Sequence, residues 1–188
     1  SVVNGFGSSV LAGYAASTRI ESICIVPMIS TGNAMSTFTA QNMGAGKIDR
    51  VKEGYRMCYV IVLTAGAVLC VMYQLAGGAF VSLFLDSGSS EAYSVGLSYV
   101  KFLSFFYSFI GLKASTDGLL RGAGDVTAFT VANLVNLAIR VSVTNLFAPI
   151  YGIQVAWMAV PLGWAANYVI SFGWYLTGKW KKVRVIKK

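Results

Sequence analysis

Five long stretches of this chain carry almost no charge, and short polar turns separate them. A run of about 18 or more such residues is a candidate membrane crossing, because about 20 residues at 1.5 Å rise traverse a hydrocarbon core about 30 Å thick. A buried helix of a soluble domain imitates one such run. It does not imitate five in succession. Composition agrees: 12% of the 188 residues are charged, 56% are hydrophobic and the mean hydropathy is +0.65. A soluble domain carries about 25% charged residues, so this chain has about half the charge needed to cover a soluble surface. The fold class read from the sequence is all-α, a polytopic membrane protein with five transmembrane helices.

The spans lie at roughly 8–42, 51–85, 91–121, 126–148 and 152–177. The first is rich in small residues early on, and Pro27 removes a backbone donor within it, which predicts a kink. Pro149, Tyr151 and Gly152 predict the turn between the last two spans. Trp174 and Trp180 bracket the exit of the fifth span, where amphipathic rings prefer the interface. Residues 1–178 thus form one helical unit, and 179–188 a basic tail.

The net charge is +8, but the distribution of the basic residues argues against a nucleic-acid partner. One side of the expected bilayer holds the Gly44–Arg56 loop, the Arg121–Asp125 loop and the tail. It carries Lys47, Arg50, Lys52, Arg56, Arg121, Lys179, Lys181, Lys182, Arg184, Lys187 and Lys188. The other side, at 86–91 and 148–152, carries none. The positive-inside rule then places the tail in the cytoplasm, beside anionic headgroups of the lipid bilayer. There is no histidine, and Cys24, Cys58 and Cys70 are not at metal-ligand spacing. Zinc sites and Cys/His catalysis lack their ligands, so no cofactor, metal or enzyme activity is expected. The cysteines read as small buried hydrophobes.

Two loops on the basic side share a pattern. Gln41-Asn42-Met43-Gly44-Ala45-Gly46-Lys47 and Leu120-Arg121-Gly122-Ala123-Gly124-Asp125 both place Gly-Ala-Gly at a helix end. Glycine after a last helical turn takes the left-handed conformation that satisfies orphan carbonyls. Asp125 is a good N-cap for the fourth span, and Asp49 a candidate for the second. A tight helix-to-helix turn accounts for both loops as well as a role in gating does. A phosphate-binding loop does not: Gln41 and Ile48 stand where a glycine and a hydroxyl are needed.

These paired segments, with Arg19-Ile20-Glu21, Pro27, Ile139-Arg140 and Gly178-Lys179-Trp180-Lys181, resemble the second half of MATE (multidrug and toxic compound extrusion) transporters over nearly the whole chain. The resemblance implies helices eight to twelve of a twelve-helix, two-lobed protein, lacking its N-terminal lobe. It implies export of small organic cations, drugs and similar amphipathic compounds by Na⁺ or H⁺ antiport, from the plasma membrane (the bacterial inner membrane). Some subfamilies carry a second-lobe acid on the seventh or the tenth helix, and the resemblance implies that the seventh is essentially missing here. Ile110 stands near the tenth-helix position and binds no cation, which points to a coupling site in the first lobe. Two alternatives are a lipid or polysaccharide flippase of related architecture and a non-transporting membrane scaffold.

Ionisable residues at membrane depth are functional candidates by default. They are Arg19, Glu21, Lys101, Lys113, Asp117 and Arg140. Lys113, Asp117 and Arg121 share one helix face at i, i+4 and i+8, so Asp117 is expected to pair with either base. Counting from Arg121, Asp117 lies about 6 Å and Lys113 about 12 Å deep. A snorkelling ladder explains this set, and an inner gate that exchanges partners is the sharper alternative. Glu21 is expected to meet Arg140 or Lys101 across helices. Gln74, Asn133, Asn136, Gln154 and Asn167 are interhelical hydrogen-bond candidates. Tyr99, Phe102, Phe105, Phe106, Tyr107 and Phe109 make an aromatic cluster suited to packing or to cationic ligands.

Overall fold

A computed structural model of the chain describes residues 5, 7–85 and 90–182. The loop centre at 86–89 and the tail residues Arg184, Lys187 and Lys188 lie outside them. Six helices follow one another: α1 Ser8–Gly44, α2 Ile48–Ser82, α3 Ser90–Ser104, α4 Tyr107–Gly122, α5 Val126–Tyr151 and α6 Ile153–Leu176. A short 3-10 helix, Lys179–Lys182, closes the described chain. There is no strand among the described residues.

By length and composition α2, α5 and α6 are each able to cross a membrane, and α3 with α4 passes as one bent span. At 37 residues α1 is the longest helix. Serine, threonine, glycine and asparagine dilute its hydropathy, yet Ile23, Val26 and Ile29 stand exposed on it. It runs unbroken through Pro27, and Thr31 Oγ1 donates to the Pro27 carbonyl at 2.9 Å.

The third expected span is not one helix. It breaks at Phe105-Phe106, and its halves meet at 52°. Two side chains stabilise the break. Gln74 Nε2 on α2 donates to the Lys101 carbonyl at 2.9 Å and to Ser104 Oγ at 3.0 Å. Ser104 Oγ in turn donates to the same carbonyl at 2.7 Å. Carbonyls released from the ladder are tolerated at membrane depth only when protein groups satisfy them in this way. The turn before α6 also differs from expectation. The helix continues through Pro149 to Tyr151, and Gly152 alone, at φ 87°, reverses the chain.

The close packing of α1 on α4 organises the unit. A Cβ at Gly118 would overlap the Gly32 carbonyl, and one at Gly122 the Ser36 carbonyl. Gly118 and Gly122 are four apart, the small-residue spacing that lets membrane helices touch backbone to backbone. α6 packs on both α4 and α5. Tyr73, Tyr99, Leu103, Tyr107, Trp157 and Trp164 fill the main core, together with Met28 and Val62.

Candidate functional site

The two Gly-Ala-Gly loops fold identically. Ala45, Gly46 and Lys47 N–H donate to the carbonyls of Gln41, Met43 and Asn42. Ala123, Gly124 and Asp125 N–H donate to those of Leu119, Arg121 and Leu120. The third residue of each motif is left-handed, Gly46 at φ 71° and Gly124 at φ 83°, where a side chain is strained. Gly44 and Gly122 are the last residues of their helices. Asn42 is buried, and its Nδ2 donates to the Phe38 carbonyl at 2.8 Å. The loops differ in how the next helix starts. Asp125 caps α5, accepting from Ala128 N–H at 3.4 Å, and its other oxygen accepts from Trp174 Nε1 on α6 at 2.7 Å. Asp49 is no cap; it lies exposed inside the first turn of α2 and pairs with half-buried Lys52 at 2.7 Å. Of the two bracketing tryptophans, Trp180 is wholly buried, stacked on Tyr175.

Beneath these loops lies a buried polar cluster. Asp117 is 4% exposed. Its Oδ1 accepts from Ser171 Oγ on α6 at 2.7 Å. Its Oδ2 lies 3.0 Å from Lys113 Nζ and 3.3 Å from Asn133 Nδ2 on α5. Lys113 Nζ also donates to Asn133 Oδ1 at 2.9 Å. The expected ladder is therefore split. Asp117 takes Lys113, whereas Arg121 turns to α1 and donates to Asn33 Oδ1 at 2.7 Å and Ser36 Oγ at 3.3 Å. Lys113, Asp117, Arg121 and Asn133 line a cleft of ≈ 190 Å³ with Gly32, Asn33 and Phe129.

The deeper charges behave differently. Glu21 does not form an ion pair with Arg140 or Lys101 among the described residues. Its Oε2 accepts from the buried Tyr99 hydroxyl at 2.6 Å. Tyr99 stands edge-on to Tyr14 and to Trp157, each at 5.5 Å between centroids. Arg19 and Arg140 are exposed, and Lys101 is half-buried with its stem beside Gly77. Ile110 is buried in the core.

A second hydroxyl network has no counterpart among the expectations from sequence. Thr116 Oγ1 on α4 meets Tyr55 at 2.7 Å and Tyr59 at 3.0 Å on α2, and Tyr59 donates to Tyr168 on α6 at 3.2 Å. Tyr55 and Tyr59 are themselves hydrogen-bonded. Rings at Tyr168, Phe172, Tyr175 and Trp180 continue it as a stack. The only trace in sequence is the i, i+4 spacing of Tyr55 with Tyr59 and of Tyr168 with Phe172.

The MatE family model matches residues 1–158. The chain belongs to the MatE family. Among its relatives, the probable multidrug resistance protein YpnP of Bacillus subtilis (strain 168) is 30% identical over 186 residues, covering 98% of this chain and 41% of that protein. The probable multidrug resistance protein YoeA of the same organism is 25% identical over 190 residues, 100% of this chain and 40% of that one. The chain thus spans about two fifths of the length of these relatives. A solved inward-facing multidrug resistance MATE family transporter of the MOP superfamily superposes with a TM-score of 0.83 at 19% identity, over 92% of this chain and 39% of that one. That likeness establishes the fold. For a MatE chain, the aromatic cluster then divides by role. Tyr99 and Tyr107 are core, whereas Phe102, Phe106 and Phe109 line an open apolar cleft of ≈ 250 Å³ with Met158, Pro161 and Leu162.

Proposed function

We propose that this chain forms most of the second lobe of a secondary transporter that exports cationic, amphipathic compounds by Na⁺ or H⁺ antiport. In this reading its partner is the N-terminal lobe and its tail is cytoplasmic. The family and the multidrug resistance names of its relatives support export. The observation that carries the coupling is Glu21. It is a half-buried carboxylate within a span, its hydrogen-bond partner is a phenol, and no cationic side chain pairs with it among the described residues. Arg140 acts on its charge only from a distance, without an ion pair, and a carboxylate with no direct cationic partner at that depth is expensive. A bound proton or monovalent cation removes the cost, so ion occupancy at Glu21 is tied to the packing of α1 against α3. Tyr99 holds the carboxylate in one orientation, and its ring is fixed by Tyr14 and Trp157.

The test is efflux of a fluorescent cationic dye from pump-deficient cells expressing the full-length parent, with Na⁺ and pH varied. Ion-dependent efflux that Glu21→Gln uncouples supports the reading. Absence of efflux despite correct insertion removes the drug-export reading and favours a lipid-linked substrate. Efflux by Glu21→Gln with unchanged ion dependence moves coupling to the first lobe.

A further inference from the structure

The cleft between α1, α4 and α5 has a charge imbalance that transport of cations does not use. Lys113 and Arg121 both line it, against the single carboxylate of Asp117. Asp117 is engaged by Lys113, Asn133 and Ser171. Arg121 is exposed, and the side chains that accept from it are neutral, Asn33 and Ser36. Its guanidinium lies over the Phe129 ring at 5.6 Å, which fixes the plane of the fork while leaving donors free on its outer edge. The cleft therefore carries one uncompensated positive charge. Apolar side chains line it on both walls: exposed Ile29 on α1 and Phe129 on α5. It also lies at the helix end that carries the Gly-Ala-Gly loops, beside the other basic residues.

A cation fork at a helix end, in a cleft with apolar lining on both walls, suits a ligand with an anionic head and an apolar body. We propose that this cleft binds the phosphate of an anionic phospholipid, with Arg121 and Lys113 as its donors. Planar, bidentate recognition of phosphate oxygens is what the guanidinium supplies; the lysine adds a point charge below it. The cleft's ≈ 190 Å³ is room for a phosphate group but not for a whole lipid, so the acyl chains lie outside it, past the exposed Ile29. This reading does not rest on drug export and stands if the substrate is different.

The experiment uses the purified full-length parent in detergent, with lipid adducts counted by native mass spectrometry. Phosphatidylglycerol is compared with zwitterionic phosphatidylcholine, and inorganic phosphate is added as competitor. A basic residue near an anionic lipid contributes an attraction that corresponds to roughly a fivefold preference. The wild type is expected to show that preference for phosphatidylglycerol. Arg121→Gln, which keeps a donor for Asn33, is expected to abolish it, and Arg121→Lys to keep most of it. Arg50→Gln, in the first turn of α2 after the other loop, is expected to leave it unchanged. Size-exclusion profiles and unfolding midpoints without lipid identify any variant that has failed to fold, and Arg121→Lys serves as the folded comparison. Displacement of the lipid by millimolar phosphate assigns recognition to the phosphate alone and admits a soluble phosphate as ligand; lack of displacement assigns it to lipid. Equal adducts of the two lipids in the wild type, or a preference that survives Arg121→Gln or falls equally with Arg50→Gln, overturns the proposal.

Discussion

Asp117 shows at the scale of one residue how a charge is kept inside a membrane protein. Three side chains from three helices satisfy its oxygens, and the Lys113 side chain that pairs with it is 18% exposed. Removing one partner of such a pair leaves the other charge uncompensated, at about 3–5 kcal/mol. Asp117→Asn is therefore expected to lower the thermal unfolding midpoint of the full-length protein sharply. Lys113→Met combined with Asp117→Asn should recover most of that loss, since neither charge is left. Equal midpoints for the single and double variants would show that the pair is not coupled. Glu21 contrasts with it. Glu21→Gln can still accept from Tyr99, so a small change in midpoint is expected alongside loss of ion dependence in dye efflux. Both residues are visible in the sequence, because a carboxylate in an apolar run stands out. Their partners are less so. The i, i+4 spacing allows Asp117 either base, and the choice of Lys113 depends on where α5 and α6 place Asn133 and Ser171. Charge alone matches Glu21 to a cation, whereas a tyrosine on α3 occupies that position.

Helix elements are legible where the chain marks its own ends. Both Gly-Ala-Gly turns follow from glycine's access to positive φ, and the structure repeats the same three backbone bonds at each. Gly124→Ala should cost about 1–2 kcal/mol, the penalty for a side chain in the left-handed region, as read from the unfolding midpoint. Asp125→Ala should cost more than Asp125→Asn. The alanine removes a cap worth about 0.5–2 kcal/mol and leaves Trp174 Nε1 without its acceptor, whereas asparagine keeps an oxygen for Ala128. An Asp125→Asn variant as damaged as Asp125→Ala would show that charge, not capping, is what α5 requires. The break at Phe105-Phe106 is not legible, since no proline or glycine marks it. Its cause sits 30 residues away, in the Gln74 amide that takes up the Lys101 carbonyl and Ser104 Oγ. Periodicity within one segment cannot report a hydrogen bond supplied by another. The α1–α4 contact is an intermediate case. Gly118 and Gly122 show the spacing, but their partners Gly32 and Ser36 emerge only from the packing. Gly118→Leu should prevent the two helices from closing, and the expected result is loss of folded protein after membrane extraction.

At the scale of the whole unit, much of the apolar surface faces outward. Only 17% of the apolar window of α5 and 22% of that of α2 are buried inside the chain, against 50% for α6. Thus α6 is the most enclosed of these three helices, and α2 and α5 turn most of their apolar surface outward. Exposed apolar residues continue along α1, with Ile23 and Val26 at 65% and 60%. Alternating access needs two bundles moving around a site between them, and one lobe supplies one wall of that site. The chain expressed alone is therefore expected to insert and to give no dye efflux. Co-expression with the remaining three fifths of a full-length parent should restore efflux, because the surfaces the two pieces bury together are those left open here. Sustained, ion-dependent efflux from the chain alone would mean that two copies of it build the missing wall, and crosslinks between copies along α1 would then have to appear.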